Sequence, residues 1–278
     1  MSTINERILG KQRSIGDILV QGGRILLLIV LLVVAVLPAL FALSMSIRDV
    51  SNFYAPIWIP ESPTLEWYAE GFNDILPLMK NSYLRALGST LLTLVISVPA
   101  GYAFARRDFA HKSKLFYSIV GVLLFPILIM AIPLTVMFFE LGLQDSIPGL
   151  WIVDLILVVP FAVYLLRDYF ADLPSNLEQA AQVYGCTSFS AFVRVILPLA
   201  MPGILAVSFF SFVIGWNEFF FAILITQSEA MPAIVSLNAA VSTEATLQQG
   251  VVMAQTVLIS LPPVVLYLIA RKSLTETF

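Results

Sequence analysis

Six stretches of this chain are each long and apolar enough to cross a membrane as a helix, at about 24–47, 82–105, 115–139, 148–170, 202–226 and 249–270. A bilayer core takes roughly 20 apolar residues per helix, and hydrocarbon offers no partner to an unpaired backbone group. The chain therefore reads as an all-α integral membrane protein, a single transmembrane domain over residues 1–278. Composition agrees. Hydrophobic residues make up 59% and charged residues 12%, against roughly 45–50% and 25% in soluble domains. The net charge of −3 offers no basic surface for nucleic acid. One cysteine, Cys186, excludes an internal disulfide and a multi-cysteine metal site. The first run, Ile25–Leu43, reads as a span and not as a cleaved leader, because no small-residue cleavage site follows it closely.

An even number of spans puts both termini on one side, and Lys and Arg decide which. Arg7, Lys11, Arg13, Arg24, Arg106, Arg107, Lys112, Lys114, Arg167, Arg194, Arg271 and Lys272 lie on the side of the termini, twelve of the 15 basic residues. Only Arg48, Lys80 and Arg85 lie opposite, amid Asp49, Glu61, Glu66, Glu70, Asp74, Glu140, Asp145, Glu229 and Glu244. Both termini are expected in the cytoplasm. The largest external piece, 48–80, carries Tyr54, Trp58, Trp67 and Tyr68. These read as headgroup-belt aromatics, as an external docking surface, or as both.

The cytoplasmic loop 171–201 is of mixed polarity. Ser175 with Glu178 three residues on is a capping-box pattern. Gly185 is placed to end that helix in a left-handed cap. Thr187 then caps a second short helix, which puts Phe189, Phe192, Val193 and Ile196 on one face. Pro198 and Pro202 close the excursion. Ala180 and Ala181 let another surface approach the first helix closely.

Two acids lie inside the spans, where a charge needs a pathway or a partner. Asp154 is about 9 Å and Glu218 about 12 Å in from the external end of its span, at 1.5 Å per residue. Ser208, Ser211, Gly215, Glu218, Ala222 and Thr226 form a small or polar stripe at steps of three and four, with the bulky aromatics mostly off it. Thr90, Thr93, Ser97 and Gly101 are a weaker copy. Such stripes mean close helix packing or a pathway lining. Trp216 and Asn217 supply the aromatic face and amide that sugars need. Asp154 reads as either a polar contact near the interface or a pathway residue.

The loop carries a further pattern: Gln179-Ala180-Ala181, three residues, Gly185, then closure at Ile196-Leu197-Pro198. With "VPFAVYLLRDYF" from Val159 and "WNEF" at Trp216–Phe219, the chain resembles the permease subunits of ABC importers. Within them it is similar to the carbohydrate-uptake branch, and in length to the smaller partner of the maltose permease pair. The resemblance covers most of the chain. The family's motif glutamate falls on Gln179, with an acid one place earlier at Glu178, and the aspartate that often precedes the glycine is Tyr184.

The resemblance implies a type I importer permease fold, with the loop as a coupling helix docking in a cytoplasmic ATPase through Glu178, Gln179, Ala180, Ala181, Gly185 and Pro198. It implies a homologous sister permease, an ATPase dimer carrying ATP and Mg, and an extracytoplasmic solute-binding protein. This chain holds no cofactor of its own and no phosphate-cradling Gly-rich loop. The lone His111 sits in a charged loop, and no constellation suits an enzyme. The expected function is alternating-access import of a sugar or oligosaccharide across a prokaryotic inner membrane. Trp216, Asn217, Glu218, Ser211, Gly215 and Asp154 are the candidate path. A polyamine or phosphate importer, or an ion-coupled carrier with Asp154 and Glu218 as ion sites, are the alternatives; an inverted repeat, the mark of many such carriers, is not evident.

Overall fold

A computed structural model describes residues 15–49, 59–241 and 249–275, all helices and connections with no strand among them. Four helices are each long and apolar enough to cross a membrane alone: α1 (Ile15–Ser46), α2 (Glu66–Arg106), α5 (Ile147–Asp172) and α12 (Gln249–Thr275). The third crossing is a bent pair, α3 (Lys112–Gly121) and α4 (Ile127–Glu140), joined by a 3-10 turn at Val122–Leu124. A loop of short pieces follows α5: α6 (Asn176–Val183), α7 (Ser188–Ala191), a π turn at Phe192–Ile196 and α8 (Leu197–Leu199). Helix α9 (Met201–Asn217) is bent by 72° from the Ser188–Leu199 pieces, the second pair apolar enough to form one span; α10 (Phe220–Ile225) follows it, and α11 (Ala233–Val241) leads towards α12.

Three expected spans are corrected. The helix expected from 82 begins at Glu66, because Trp67, Gly71 and Ile75 repeat every fourth residue and carry a buried face outwards from Ser82. The run expected over 115–139, which Pro126 and Pro133 interrupt, bends by 98°. Pro126 disfavours helix at the residue before it, and Phe125 is extended at ψ 128. The helix expected over 202–226 stops at Asn217, with Glu218 extended at ψ 111.

The aromatic belt is corrected at Trp67. Its ring is buried, its N–H donates to the Arg48 carbonyl at 2.6 Å, and a Cβ on Gly250 would lie 2.5 Å from it. Tyr68 shares a 2.7 Å hydrogen bond with Ser46. Tyr54, Trp58, Arg7, Lys11 and Arg13 lie outside the described residues.

Helix α2 is the axis of the bundle. In lipid, helices associate by packing and hydrogen bonds, and small residues let backbones come close. Its buried face runs Ser82, Arg85, Ala86, Ser89, Thr93, Ser97 and Gly101. A Cβ on Gly101 would meet Leu166 of α5 at 2.8 Å, and one on Gly88 would meet the Trp151 ring at 2.3 Å. The Trp151 N–H donates to the Leu84 carbonyl at 2.9 Å. Helix α9 reaches the same face through Gly215, where a Cβ would lie 3.2 Å from the Ala86 Cα. Helix α1 differs: its most apolar stretch has no buried residue.

Candidate functional site

Arg85, Asp154 and Glu218 meet inside the bundle, on α2, α5 and the α9–α10 break. Arg85 forks onto Asp154, with Nε to Oδ2 at 3.0 Å and Nη2 to Oδ1 at 2.6 Å. Nη2 also donates to the Glu218 Oε2 at 2.7 Å, and Nη1 to the Glu218 carbonyl at 2.8 Å. The Arg85 and Asp154 side chains are 0% exposed and that of Glu218 is 10% exposed. A planar fork with fixed donors suits this double grip, and a lysine would not reproduce it. Glu218 makes the helix break out of its own carboxylate: Oε1 accepts from the Phe221 N–H at 2.7 Å and Oε2 from Ala222 at 3.3 Å. The Glu218 carbonyl, freed from the helix, is the one Arg85 takes.

The sequence-derived path residues separate here. Asp154, Ser211, Gly215 and Trp216 are buried within the chain and offer no surface to a solute. Trp216 donates its ring N–H to the Ile259 carbonyl at 3.1 Å and stacks on Phe212. Gly215 is where α9 closes on Ser89 and Asp154. The stripe is therefore a packing seam. Asn217 is exposed beside Glu218. In the sequence Arg85 reads only as one of the external charges. Its position inside an apolar run, in the outer half of its span like the two acids, is the signal for a partner.

The loop after α5 forms a second site. Helix α6 ends in a Schellman motif, with the Gly185 N–H on the Gln182 carbonyl and that of Cys186 on Ala181, both at 3.0 Å. Gly185 has φ +91, a left-handed conformation open to glycine. The expected capping box does not form: Ser175 is helical and makes no cap bond. Glu178 instead accepts from the Tyr102 hydroxyl at 2.6 Å and from Arg107 at 3.2 Å. Arg106 donates to the Leu173 carbonyl. The loop is thus fastened to the last turn of α2. Thr187 does cap α7, accepting from the Ser190 N–H at 3.2 Å. The single face expected for its apolar residues is split: Ile196 is buried and Phe192 packs on the Tyr102 ring, while Phe189 and Val193 stay exposed. The π turn, with its extra residue per turn, rotates the two pairs apart. Val183, Tyr184 and Phe189 project at 86%, 89% and 75% exposure. Gln179 and Ala180 are exposed with them, Ala181 is half-buried, and Pro198 lies in the first turn of α8.

At the opposite end Asp145, at φ +47, closes a loop. Its carboxylate accepts the backbone N–H groups of Gln227, Ser228, Glu229 and Ala230, each at 3.0 Å. Burial pushes this carboxyl up, but those four bonds outweigh it and hold the group well below the usual carboxylate range. Asn81 of α2 donates to the Glu229 and Met231 carbonyls at 2.8 and 3.1 Å, and Ser82 accepts from Ala233.

A bundle of broken and unbroken spans, with a stiffened loop at one end and a pinned loop at the other, is the form of a transport subunit. Residues 78–275 match the model of the binding-protein-dependent transport system inner membrane components, and the chain belongs to that family. It is a multi-pass membrane permease, and its family's work is transport, not catalysis. The chain is 34% identical over 207 residues, 73% of it and 72% of the relative, to the sulfoquinovosyl glycerol transport system permease protein SmoH of Agrobacterium fabrum. It is 31% identical to the trehalose transport system permease protein SugB of Mycobacterium tuberculosis, covering 86% of this chain and 88% of that one. It is 29% identical to the sn-glycerol-3-phosphate transport system permease protein UgpE of Yersinia pestis, over 87% of this chain and 92% of that one. The fold matches a chain of a bacterial ABC transporter that imports the acidic polysaccharide alginate, with TM-score 0.82 and 21% identity over 93% of this chain and 98% of that one.

Proposed function

We propose that this chain is one half of the membrane path of an ATP-driven importer for a sugar or oligosaccharide. It pairs with a homologous sister permease and receives solute from an extracytoplasmic binding protein. It is driven by an ATPase dimer that carries the ATP and Mg. Both termini and the loop 171–201 lie in the cytoplasm, where twelve of 15 basic residues fall. The carrying observation is the loop: a capped helix fastened to α2 through Glu178 that presents Val183, Tyr184 and Phe189 outwards. Exposed aromatics on a stiff element are docking anchors. Glu178 acts inside the chain, tying the docked surface to α2, while Gln179, Ala180, Ala181, Gly185 and Pro198 shape the surface. Asn217 and the exposed edge of Glu218 face the solute. The relatives named for a sulfoquinovosyl glycerol and for trehalose support a carbohydrate. A phosphorylated polyol is the second reading, favoured by the glycerol-3-phosphate relative. An ion-coupled carrier does not suit the site, since Arg85 already occupies both acids.

The test is Gly185→Val in the whole transporter. A β-branched residue at φ +91 is strained by about 1–3 kcal/mol and reshapes the loop. The expected result is normal membrane level, co-purification of the ATPase lowered, and uptake of labelled sugar reduced about tenfold or more. Full uptake with a normal ATPase complement would refute the loop's role.

A further inference from the structure

The two carboxylates gripped by Arg85 are not equivalent. Asp154 sits in the unbroken α5, wholly buried, beside the tight Gly88–Trp151 approach that locks α5 on α2. Separating Arg85 from it would strand a charge with no access to water, the most costly arrangement for a buried pair. Glu218 sits at a break, next to exposed Asn217, with part of its side chain at the surface. If it leaves Arg85, it keeps the N–H groups of Phe221 and Ala222 and turns its free edge to water. Arg85 meanwhile keeps its fork on Asp154, a neutral pair. Of the two ion pairs, one is releasable.

The packing on either side of the break points the same way. Gly215 seats the end of α9 on Ala86 and Ser89 of α2. Phe221, Ala222 and Ile225 of α10 pack instead with Leu134, Phe138 and Leu150 of α4 and α5. The chain passes from one packed group to the other within Glu218 and Phe219, and the Arg85–Glu218 bonds are what hold that passage to α2.

Resting on the importer reading above, we propose that Arg85–Glu218 is the latch of the path at the end opposite the 171–201 loop. The latch opens by release of Glu218 while Arg85 stays forked on Asp154, and Arg85 is a positioning residue that never meets the solute.

The test uses cells carrying the whole transporter, with Cys186→Ser and Asn217→Cys in this chain; Asn217, exposed on the chain by itself, there faces the path shared with the sister permease and is reached from outside past the latch. A membrane-impermeant maleimide is added outside and the labelling rate measured. Glu218→Gln keeps the shape but weakens the grip of Arg85, and the expected result is labelling about tenfold faster, the population shift from losing one charge-assisted hydrogen bond. Arg85→Lys, which cannot fork and reach Glu218 together, should do the same. Asp154→Asn should instead lower the amount of chain in the membrane. The latch is overturned if Glu218→Gln labels within about twofold of the parent. It is also overturned if Asp154→Asn accumulates normally and labels fast. If Glu218→Gln does not accumulate, Arg85→Lys decides by the same readings. If neither accumulates, Glu218 is as structural as Asp154 and the latch is overturned. Labelling needs neither ATP nor solute, so it is independent of the sugar-uptake and ATPase measurements that test the importer reading.

Discussion

Asp145 shows how one residue can order a loop eighty positions away. Its four backbone partners are arranged as for a bound anion, and the anion is the chain's own side chain. Nothing near Asp145 in the sequence announces this, because the partners are main-chain groups of residues 227–230. The carboxyl is depressed in the folded state, so the stability it contributes is fully present above its ordinary value near 3.8 and drains away as pH falls below that value. Asp145→Asn keeps the size but not the charge. The expected loss is about 2 kcal/mol of local stability at neutral pH. It should appear as faster protease cleavage within 227–230, with the difference from the parent narrowing towards pH 3. Equal cleavage at neutral pH would show that the loop is held by Asn81 and Ser82 alone.

Among the elements, what could be read ahead was local and what could not was tertiary. Gly185 and Thr187 carry their cap signals within four residues, and both caps form. Pro126 marks the bend of the third span. The break at Glu218 was hidden, because Glu218 falls in step with a helical stripe and its reason lies on another helix, at Arg85. The capping box failed for the same cause, since Glu178 finds Tyr102 and Arg107, more than seventy positions away. The outer part of α2 was masked by Glu66, Glu70, Asp74 and Lys80, which interrupt the apolar run without interrupting the helix. The α2–α5 seam gives a prediction at this scale. Gly88→Ala places a Cβ 2.3–2.6 Å from the Trp151 ring, and the ring is pinned by its bond to Leu84. Overpacking of this kind costs about 1–3 kcal/mol. The expected outcome is less folded chain in detergent and a lower melting temperature. A compensating Trp151→Phe should recover part of both. An unaffected melting temperature would mean that the seam is looser than its geometry.

The all-helical membrane character of the whole molecule was legible from hydropathy: of the six expected runs, four are single helices long and apolar enough to cross a membrane among the described residues, and the charge asymmetry proposes an orientation for them. Two of those runs are broken: at Glu218 the irregular backbone is held by Arg85, as expected where protein takes the place of lipid, while the break at Val122–Phe125 is apolar and belongs to Pro126. The orientation yields its own measurement. With Cys186 replaced, a cysteine at Ser113 should resist an impermeant thiol reagent in intact cells and react once the membrane is opened. Labelling from outside at full rate would invert the topology.

Helix α2 can finally be considered as a lever. Tyr102, which grips the 171–201 loop, and Arg85, which grips Glu218, lie on one helix about 25 Å apart at 1.5 Å per residue. Over such an arm a tilt of about 5° displaces the far point by about 2 Å. The Arg85–Glu218 contact is 2.7 Å long, and an added 2 Å takes it out of hydrogen-bond range. Because the Gly88–Trp151 and Gly101–Leu166 approaches lock α5 on α2, the two helices tilt together, and such a push parts Arg85 from Glu218 while its fork on Asp154 travels with it. On the importer reading proposed above, the stiffness of α2 between these two grips, with Pro99 between them, sets how faithfully motion at one face of the membrane reaches the other.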